Sequence, residues 1–356
     1  MIIIIGGGII GTGVAYYLSR AGIKDITLIE KENLLGTGVT QYCSGGVRSQ
    51  FTTPINVKFS AEAFKELSNF DIDYKKLGYL ILDMTEDSVP RVKMQKSLGV
   101  KSEYLKPEEI KSHFPYINTE GVVSGTFSGE DGIADPGKLM SIYEKGARGC
   151  GVRFMMGTGV RRILKEGDKV VGVKTDKGEM KSDTVILAAG VSSPGLGKIL
   201  GIDIPIVHIR KYVFVIDGFD FDFPLTMEIP TGWYIKKEGE DCLLGMSGKD
   251  EKIDFELQQE AMDETIEASL RRFPMTEKCS IKKVLSSMSD ETPDKHGIID
   301  SSIPGLIIAT GFSGHGFMHS PAVGKVVTGL VKGEKPILDV NKLKLGRKAI
   351  KEIIAI

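Results

Sequence analysis

Apolar residues recur with two different periods along this chain. Short unbroken runs, namely Ile2–Ile5, the TVIL of Thr184–Gly190 and the LIIA ahead of Thr310, have the length of parallel strands buried on both faces. Between Ile204 and Ser287 the pattern switches. IVHIRKYVFVIDGF, GWYIKK and DCLLGMSG alternate as antiparallel strands do, and EGED supplies a hairpin turn. FELQQEAMDETIEASLRRF then reads as a helix with Met262, Ile266, Leu270 and Phe273 on one stripe. Helical spacing also marks Asn56–Phe70, Val89–Ser97 and KLMSIYEKGARGC, which Pro136 opens at its first turn. GYLILDM (Gly78–Met84) has the β-rich look of another layer, and Gly121–Pro136 reads as strand, turn and re-entry. GVRFM leads into a hairpin-like VRRILKEGDKVVGVKTDKGEMKSD.

The order of these elements predicts an interleaved α/β protein. A Rossmann-like nucleotide domain takes residues 1–77, 136–203 and 288–356. A second, mixed antiparallel-sheet-plus-helix domain takes 78–135 and 204–287 and is left to hold a substrate.

The first thirty residues carry the strongest chemistry. After the strand, Gly6, Gly8 and Gly11 form GxGxxG: Gly6 for the tight turn, Gly8 for close approach to a pyrophosphate, Gly11 for helix–strand packing. A helix from about Gly11 to Arg20 aims its N-terminal N–H groups at that pyrophosphate. The next strand, DITLIE, ends in Glu30, whose carboxylate suits two ribose hydroxyls and repels a 2′-phosphate. The stretch does not read as a signal peptide: no Lys or Arg precedes it and no small-residue cleavage pattern follows.

Composition narrows the class further. The 46 basic and 47 acidic residues nearly cancel among 356, so no global field recruits nucleic acid or an anionic membrane. Cys43, Cys150, Cys242 and Cys279 show no CxxC spacing, which argues against zinc or iron–sulfur ligation and fits free thiols in a reducing cytoplasm. No run approaches a membrane span, and the chain reads as soluble.

Six blocks, in order, resemble the FAD-dependent amino-acid oxidoreductases that include D-amino acid oxidase, glycine oxidase and sarcosine oxidase. They are GxGxxG with Glu30, SGGVRSQF (Ser44–Phe51), DGIADP (Asp131–Pro136), TVILAAG (Thr184–Gly190), ETPDKHGIID (Glu291–Asp300) and ATGFSGHGFMHSPAVG (Ala309–Gly324). The likeness is greatest to the sarcosine oxidase β and archaeal proline dehydrogenase β branch. It implies FAD, with contacts from Gly6, Gly8, Ile9, Ile10, Gly11, Glu30 and Lys31, from Gly46, Val160, Ala189 and Gly190, and from Gly311, Gly314, Gly316, Phe317 and Met318. The backbone N–H groups of Gly316 to Met318 would face the flavin pyrimidine carbonyl and stabilise negative charge gathered there. Sarcosine oxidase holds its flavin through a cysteine just before the TPD motif. Ser287 stands at that place here and cannot form the thioether, so the resemblance implies non-covalent FAD.

The same likeness assigns Arg48 to the substrate carboxylate, which a guanidinium grips with two parallel bonds; the alternative is an arginine near phosphate or solvent. Met318 replaces a lysine that assists in sarcosine oxidase and Ser289 an arginine of glycine oxidase, leaving Arg48 alone unless Arg210 or Lys211 reaches in. Trp233 and Tyr234 match a region where the family sets an aromatic over substrate, with core packing as the other reading. His315 is either a titrating group near the flavin or a packed imidazole bonded to backbone, the latter favoured; His296 and His319 read as structural. Leu243 matches the lysine that promotes reaction with oxygen in sarcosine oxidase, which implies a dehydrogenase. The function implied is oxidation of the C–N bond of a small, secondary amino acid such as proline or sarcosine. A 2-hydroxy acid oxidoreductase with His315 as base, or a flavin-binding subunit active only in a complex, are the alternatives. An electron-accepting partner subunit fits the β chains of this family.

Overall fold

The computed structural model describes residues 1–86, 88–246, 259–349 and 351–354, without the side chains of Ser287 and Met288. The Ser and Gly that end CLLGMSG and the FELQ opening the predicted helix lie outside the described residues.

Ile2–Ile5 is an inner strand of a six-stranded sheet ordered Ile298–Asp300, Leu306–Thr310, Thr184–Leu187, Ile2–Ile5, Ile26–Ile29, Arg153–Met155. All pairs are parallel except the first. An all-apolar strand suits this position because both faces are covered. Ile2 and Ile4 pack with the helices Ile9–Arg20, Pro136–Gly149 and Gly316–Lys332. Ile3 and Ile5, pointing the other way, pack with Ile163, Val170 and Val173 of a three-stranded antiparallel sheet. That small sheet, Val160–Glu166, Lys169–Thr175 and Gly178–Lys181, is a meander rather than the single hairpin its sequence suggests.

The second large sheet has eight strands, ordered Ile281–Glu291, Val207–Asp217, Asp241–Gly245, Tyr234–Glu238, Leu225–Ile229, Tyr79–Asp83, Ser124–Ser128, Glu103–Leu105. Its faces differ. Tyr212, Phe214, Trp233, Ile235 and Leu244 pack with Ala268 and Phe273 at the helix Gln259–Arg272. Tyr79, Ile81, Leu225, Met227 and Tyr234 form an apolar patch on the opposite face.

The helix Gln259–Arg272 departs from its predicted stripe. Leu270 is exposed, whereas Thr265, Ala268, Ser269 and Arg272 are buried. Two buried polar groups on the sheet account for this. Trp233 Nε1 donates to Ser269 Oγ at 2.8 Å, and the Glu228 carboxylate is met by Arg272 Nε at 2.7 Å. Burial without those partners costs more than exposing a leucine. Elsewhere the differences are at element ends: the nucleotide helix starts at Ile9 rather than Gly11, and Asn56–Phe70 is Pro54–Leu67. The strand Leu225–Ile229, with polar Thr226 and Glu228 inward, escaped the alternation pattern.

Candidate active site

A cavity of about 760 Å³ is lined by residues of both large sheets. At one end lies the glycine turn. Gly6 has φ +107°, and a Cβ there would stand 2.4 Å from the carbonyl oxygen of Ala188. At Gly11 the Cβ would stand 1.9 Å from Gly6 O, so helix and turn touch backbone to backbone. The helix Ile9–Arg20 has no side-chain cap; instead Ile9 N donates to Thr40 Oγ1 at 3.1 Å, tying the polar loop to the turn. The Glu30 carboxylate accepts from Gly7 N at 2.6 Å and Glu32 N at 2.9 Å, which fixes it at the cavity edge.

The residues predicted to hold a cofactor converge here. Gly6, Gly8, Ile9, Ile10, Glu30, Lys31, Gly46, Val160, Ala189 and Gly190 line the cavity, as do Gly314, Gly316, Phe317 and Met318. Gly11 and Gly311 do not. Gly11 serves packing, and Gly311, at φ +68°, donates its N–H to Asp290 Oδ2 at 3.1 Å. The 17-residue helix Gly316–Lys332 begins at the wall, so its first turn presents N–H groups there.

Arg48 lies at the other end with 1 % of its surface exposed. Its Nη1 donates to Met227 Sδ at 3.3 Å, and its Nη2 to His315 Nε2 at 3.2 Å and to the carbonyl of Ile354. Its Nε is buried without a partner. The guanidinium also lies 4.6 Å from the Phe51 ring. Among the described residues no carboxylate forms an ion pair with it. Asp131, buried beneath the loop, holds the neighbouring chain instead by accepting from Ser49 N at 2.9 Å and Ser49 Oγ at 2.6 Å. Burial lowers the Arg48 pKa, although Tyr79, Glu352 and Asp131 oppose that.

His315 is not bonded through its ring to backbone, as expected, but to Arg48. Arginine only donates, so the imidazole accepts at Nε2 and carries its proton on Nδ1. Burial and then the charge of Arg48 push its pKa well below the ordinary value. His319 bonds Ser60 Oγ at 3.0 Å and His296 bonds Thr53 Oγ1 at 2.9 Å, both as packed groups.

Strand alternation sorts the remaining candidates. Tyr234 lines the cavity, while Trp233, the residue just before that strand, belongs to the core behind the sheet. Lys211 likewise lines it, in an ion pair with Glu291 at 2.7 Å, while Arg210 donates to Tyr212 from the far face. Ser289 lines the cavity, and so do Tyr79 and Asp290, which the sequence did not single out. Burial pushes the Tyr79 hydroxyl up to about 12 and the Asp290 carboxyl to about 6. Leu243 faces a separate cavity of about 500 Å³, beside its cross-strand neighbour Lys236.

A glycine turn without room for side chains, a helix N-terminus at each of two walls and a fixed acid beside the first define a dinucleotide-binding α/β protein with a second sheet roofing the site. The profile of the FAD dependent oxidoreductase family (DAO) matches residues 1–330, and the chain belongs to that family. Its cofactor is FAD, and the cavity fits it. The chain is 27% identical over 372 residues to 4-methylaminobutanoate oxidase (formaldehyde-forming) of Paenarthrobacter nicotinovorans, covering 97% of this chain and 45% of that one. It is 25% identical to human mitochondrial dimethylglycine dehydrogenase, covering 97% and 44%. This chain therefore spans less than half the length of those two relatives. The crystal structure of L-proline dehydrogenase from P. horikoshii superposes with a TM-score of 0.88 at 27% identity, covering 96% of each chain.

Proposed function

We propose that the protein oxidises the C–N bond of a small amino acid, with a secondary amine such as proline or an N-methyl amino acid as substrate. One observation carries this: a buried guanidinium in the cavity wall that no carboxylate of the described chain neutralises. Such a group is costly unless an anion completes it. The substrates named for the relatives, 4-methylaminobutanoate, dimethylglycine and L-proline, are all amino acids, which supports the same assignment.

In this reading residues 1–77, 136–203 and 288–356 hold FAD and residues 78–135 and 204–287 roof the substrate. The dinucleotide would lie along Gly6 to Ile10 and Glu30, with the flavin toward Gly314–Met318. FAD supplies the two-electron acceptor for the α C–H bond. The rest is positioning by the chain. Arg48 fixes the carboxylate and so the orientation of the α-carbon. Tyr79 and Tyr234, kept as phenols by burial, close the roof and exclude water. The first-turn N–H groups of Gly316, Phe317 and Met318 favour negative charge at the wall they face. No side chain removes a proton, so the amine reacts neutral. A 2-hydroxy acid would need a base, but the Nε2 lone pair of His315 is committed to Arg48.

FAD is held without a covalent bond, because Ser287 offers no thioether. Electrons pass to a partner subunit rather than to oxygen: Leu243 faces the other cavity and does not bear on the flavin, contrary to its expected place, while Lys211, which does line the wall, is paired with Glu291. The four cysteines are all free thiols, which supports a cytoplasmic location. Among the described residues no helix is long and apolar enough to cross a membrane.

Anaerobic mixing of the holoenzyme with sarcosine, proline, glycine, lactate and 2-hydroxyglutarate tests the assignment. The amino acids should bleach the yellow flavin absorbance and the hydroxy acids should not. Bleaching by hydroxy acids alone rejects it.

A further inference from the structure

The chain returns to Arg48 from its far end. Arg347 pairs with Asp294 through Nε and Nη2, both at 2.7 Å, and Glu352 N donates to Asp294 O at 3.0 Å. Glu352, fully buried, then ties down the two residues ahead of the helix Pro54–Leu67. Its carboxylate accepts from Thr52 N at 2.9 Å, from Thr53 N at 3.1 Å and from Thr53 Oγ1 at 2.9 Å. Two residues on, Ile354 is fully buried beside Tyr79, Met227 and Tyr234, and its carbonyl accepts from Arg48 Nη2.

The covalent geometry of arginine gives that contact a consequence. A carboxylate binds a guanidinium in plane along one of two edges, Nη1–Nη2 or Nε–Nη2, because Cδ closes the third. Both edges use Nη2. Nη2 has two protons, one spent on His315 and the other on Ile354. A bidentate carboxylate therefore requires one of these partners to leave. His315 is the harder to move. It is the N-cap of Gly316–Lys332, its N–H bonds Phe312 O at 2.8 Å, its carbonyl accepts from His319 N at 3.0 Å, and Phe51 packs edge-on 4.9 Å away. Ile354 is held through its N–H to Glu352 Oε1 at 3.1 Å, through its side chain, and through Arg48 itself. A carbonyl offers Arg48 a partial charge and one bond, where a carboxylate offers a full charge and two parallel bonds.

We propose that residues 352–354 are a strap that competes with the substrate carboxylate for Arg48: Ile354 lifts when a carboxylate binds, while Glu352 stays seated as the hinge. This rests on the reading of Arg48 as the carboxylate anchor. Lifting Ile354 also clears apolar surface on Tyr79 and Tyr234, both in the cavity wall, for the substrate's own hydrocarbon. The strap then sets apparent affinity, since only the open fraction of molecules binds.

The test uses the FAD holoenzyme and pyrrole-2-carboxylate, a planar carboxylate that cannot be oxidised as an amine, with its binding followed by perturbation of the flavin spectrum. Amide hydrogen exchange at Ile353 and Ile354 should accelerate about tenfold or more on saturation. Ile354→Gly, which removes the strap's side-chain anchor and keeps Glu352, should tighten binding about fivefold. Exchange that is unchanged or slower on saturation, or Ile354→Gly binding that weakens, overturns the strap. Arg48→Met separates the two ideas. Binding lost in that variant upholds the anchor and leaves exchange to decide the strap, whereas binding that survives it overturns the anchor and the strap together.

Discussion

Arg48 concentrates several costs in one side chain: a buried charge, an unpartnered Nε and two weak partners, a thioether and an imidazole. Such an arrangement is sustained if the missing partner is an anion that arrives with the substrate. Arg48→Ala should therefore lower kcat/KM on amino acids by at least about thirtyfold, within the 2–5 kcal/mol typical of a buried charged pair. Steady-state assays with a dye acceptor measure it, and normal turnover in FAD-loaded variant rejects the role. The histidines nearby predict a pH effect. Burial, followed by Arg48, lowers His319 to about 3, so the folded state holds it neutral while the unfolded chain protonates near 6.5. Its contribution is complete above 6.5 and is lost as pH falls from there toward 3, at about 1.4 kcal/mol per pH unit. His319→Gln, which keeps a partner for Ser60, should flatten the denaturant-measured stability over that range. The sequence revealed Arg48 through SGGVRSQF, but which of Arg210 and Lys211 enters the cavity depended on strand phase. Both faces of that strand carry polar groups, so alternation alone did not fix it.

At the scale of elements, two contacts decide how the site is held. The Gly11 to Gly6 approach leaves no space for a methyl group, because the obstacle is backbone. Gly11→Ala should yield colourless protein, and a normal ratio of flavin to protein absorbance would reject that. The second contact is the helix Gln259–Arg272 on the roof sheet. Glu228 is buried and its Oε2 is held by Arg272, so Arg272→Met leaves the carboxylate only Arg271 and Thr231 on its other oxygen and should lower the unfolding midpoint. The first of these was legible, since GxGxxG states its own geometry. The second was not. A helix read alone shows an apolar stripe, whereas its inward face was chosen by Glu228 and Trp233, which lie far away in sequence.

The whole molecule sets its candidate cofactor cavity against two sheets, each assembled from distant segments. Held there without a bond at Ser287, the flavin should leave on acid precipitation and colour the supernatant; a yellow pellet would reject this. Reduced enzyme should pass electrons to a dye faster than to dissolved oxygen, which stopped-flow reoxidation measures. The class of fold and the residues that gather at the cavity wall were largely readable because nucleotide sites are built from local turns. The contribution of Ile354 and Glu352 was not, since nothing in KEIIAI announces that it meets Arg48 and Thr53 some 300 residues earlier.

The strand Ile2–Ile5 has a further consequence for synthesis. One of its two neighbours, Ile26–Ile29, emerges almost at once, but the other, Thr184–Leu187, comes about 180 residues later. At 5–20 residues per second the ribosome needs roughly 10–40 s to deliver it. Throughout that interval four consecutive isoleucines present an open edge, a template for any other nascent chain. The same run that makes the innermost strand secure in the finished protein makes its birth hazardous. Slower growth temperature or abundant trigger-type chaperone should raise soluble yield more for this chain than mutations at its finished surface.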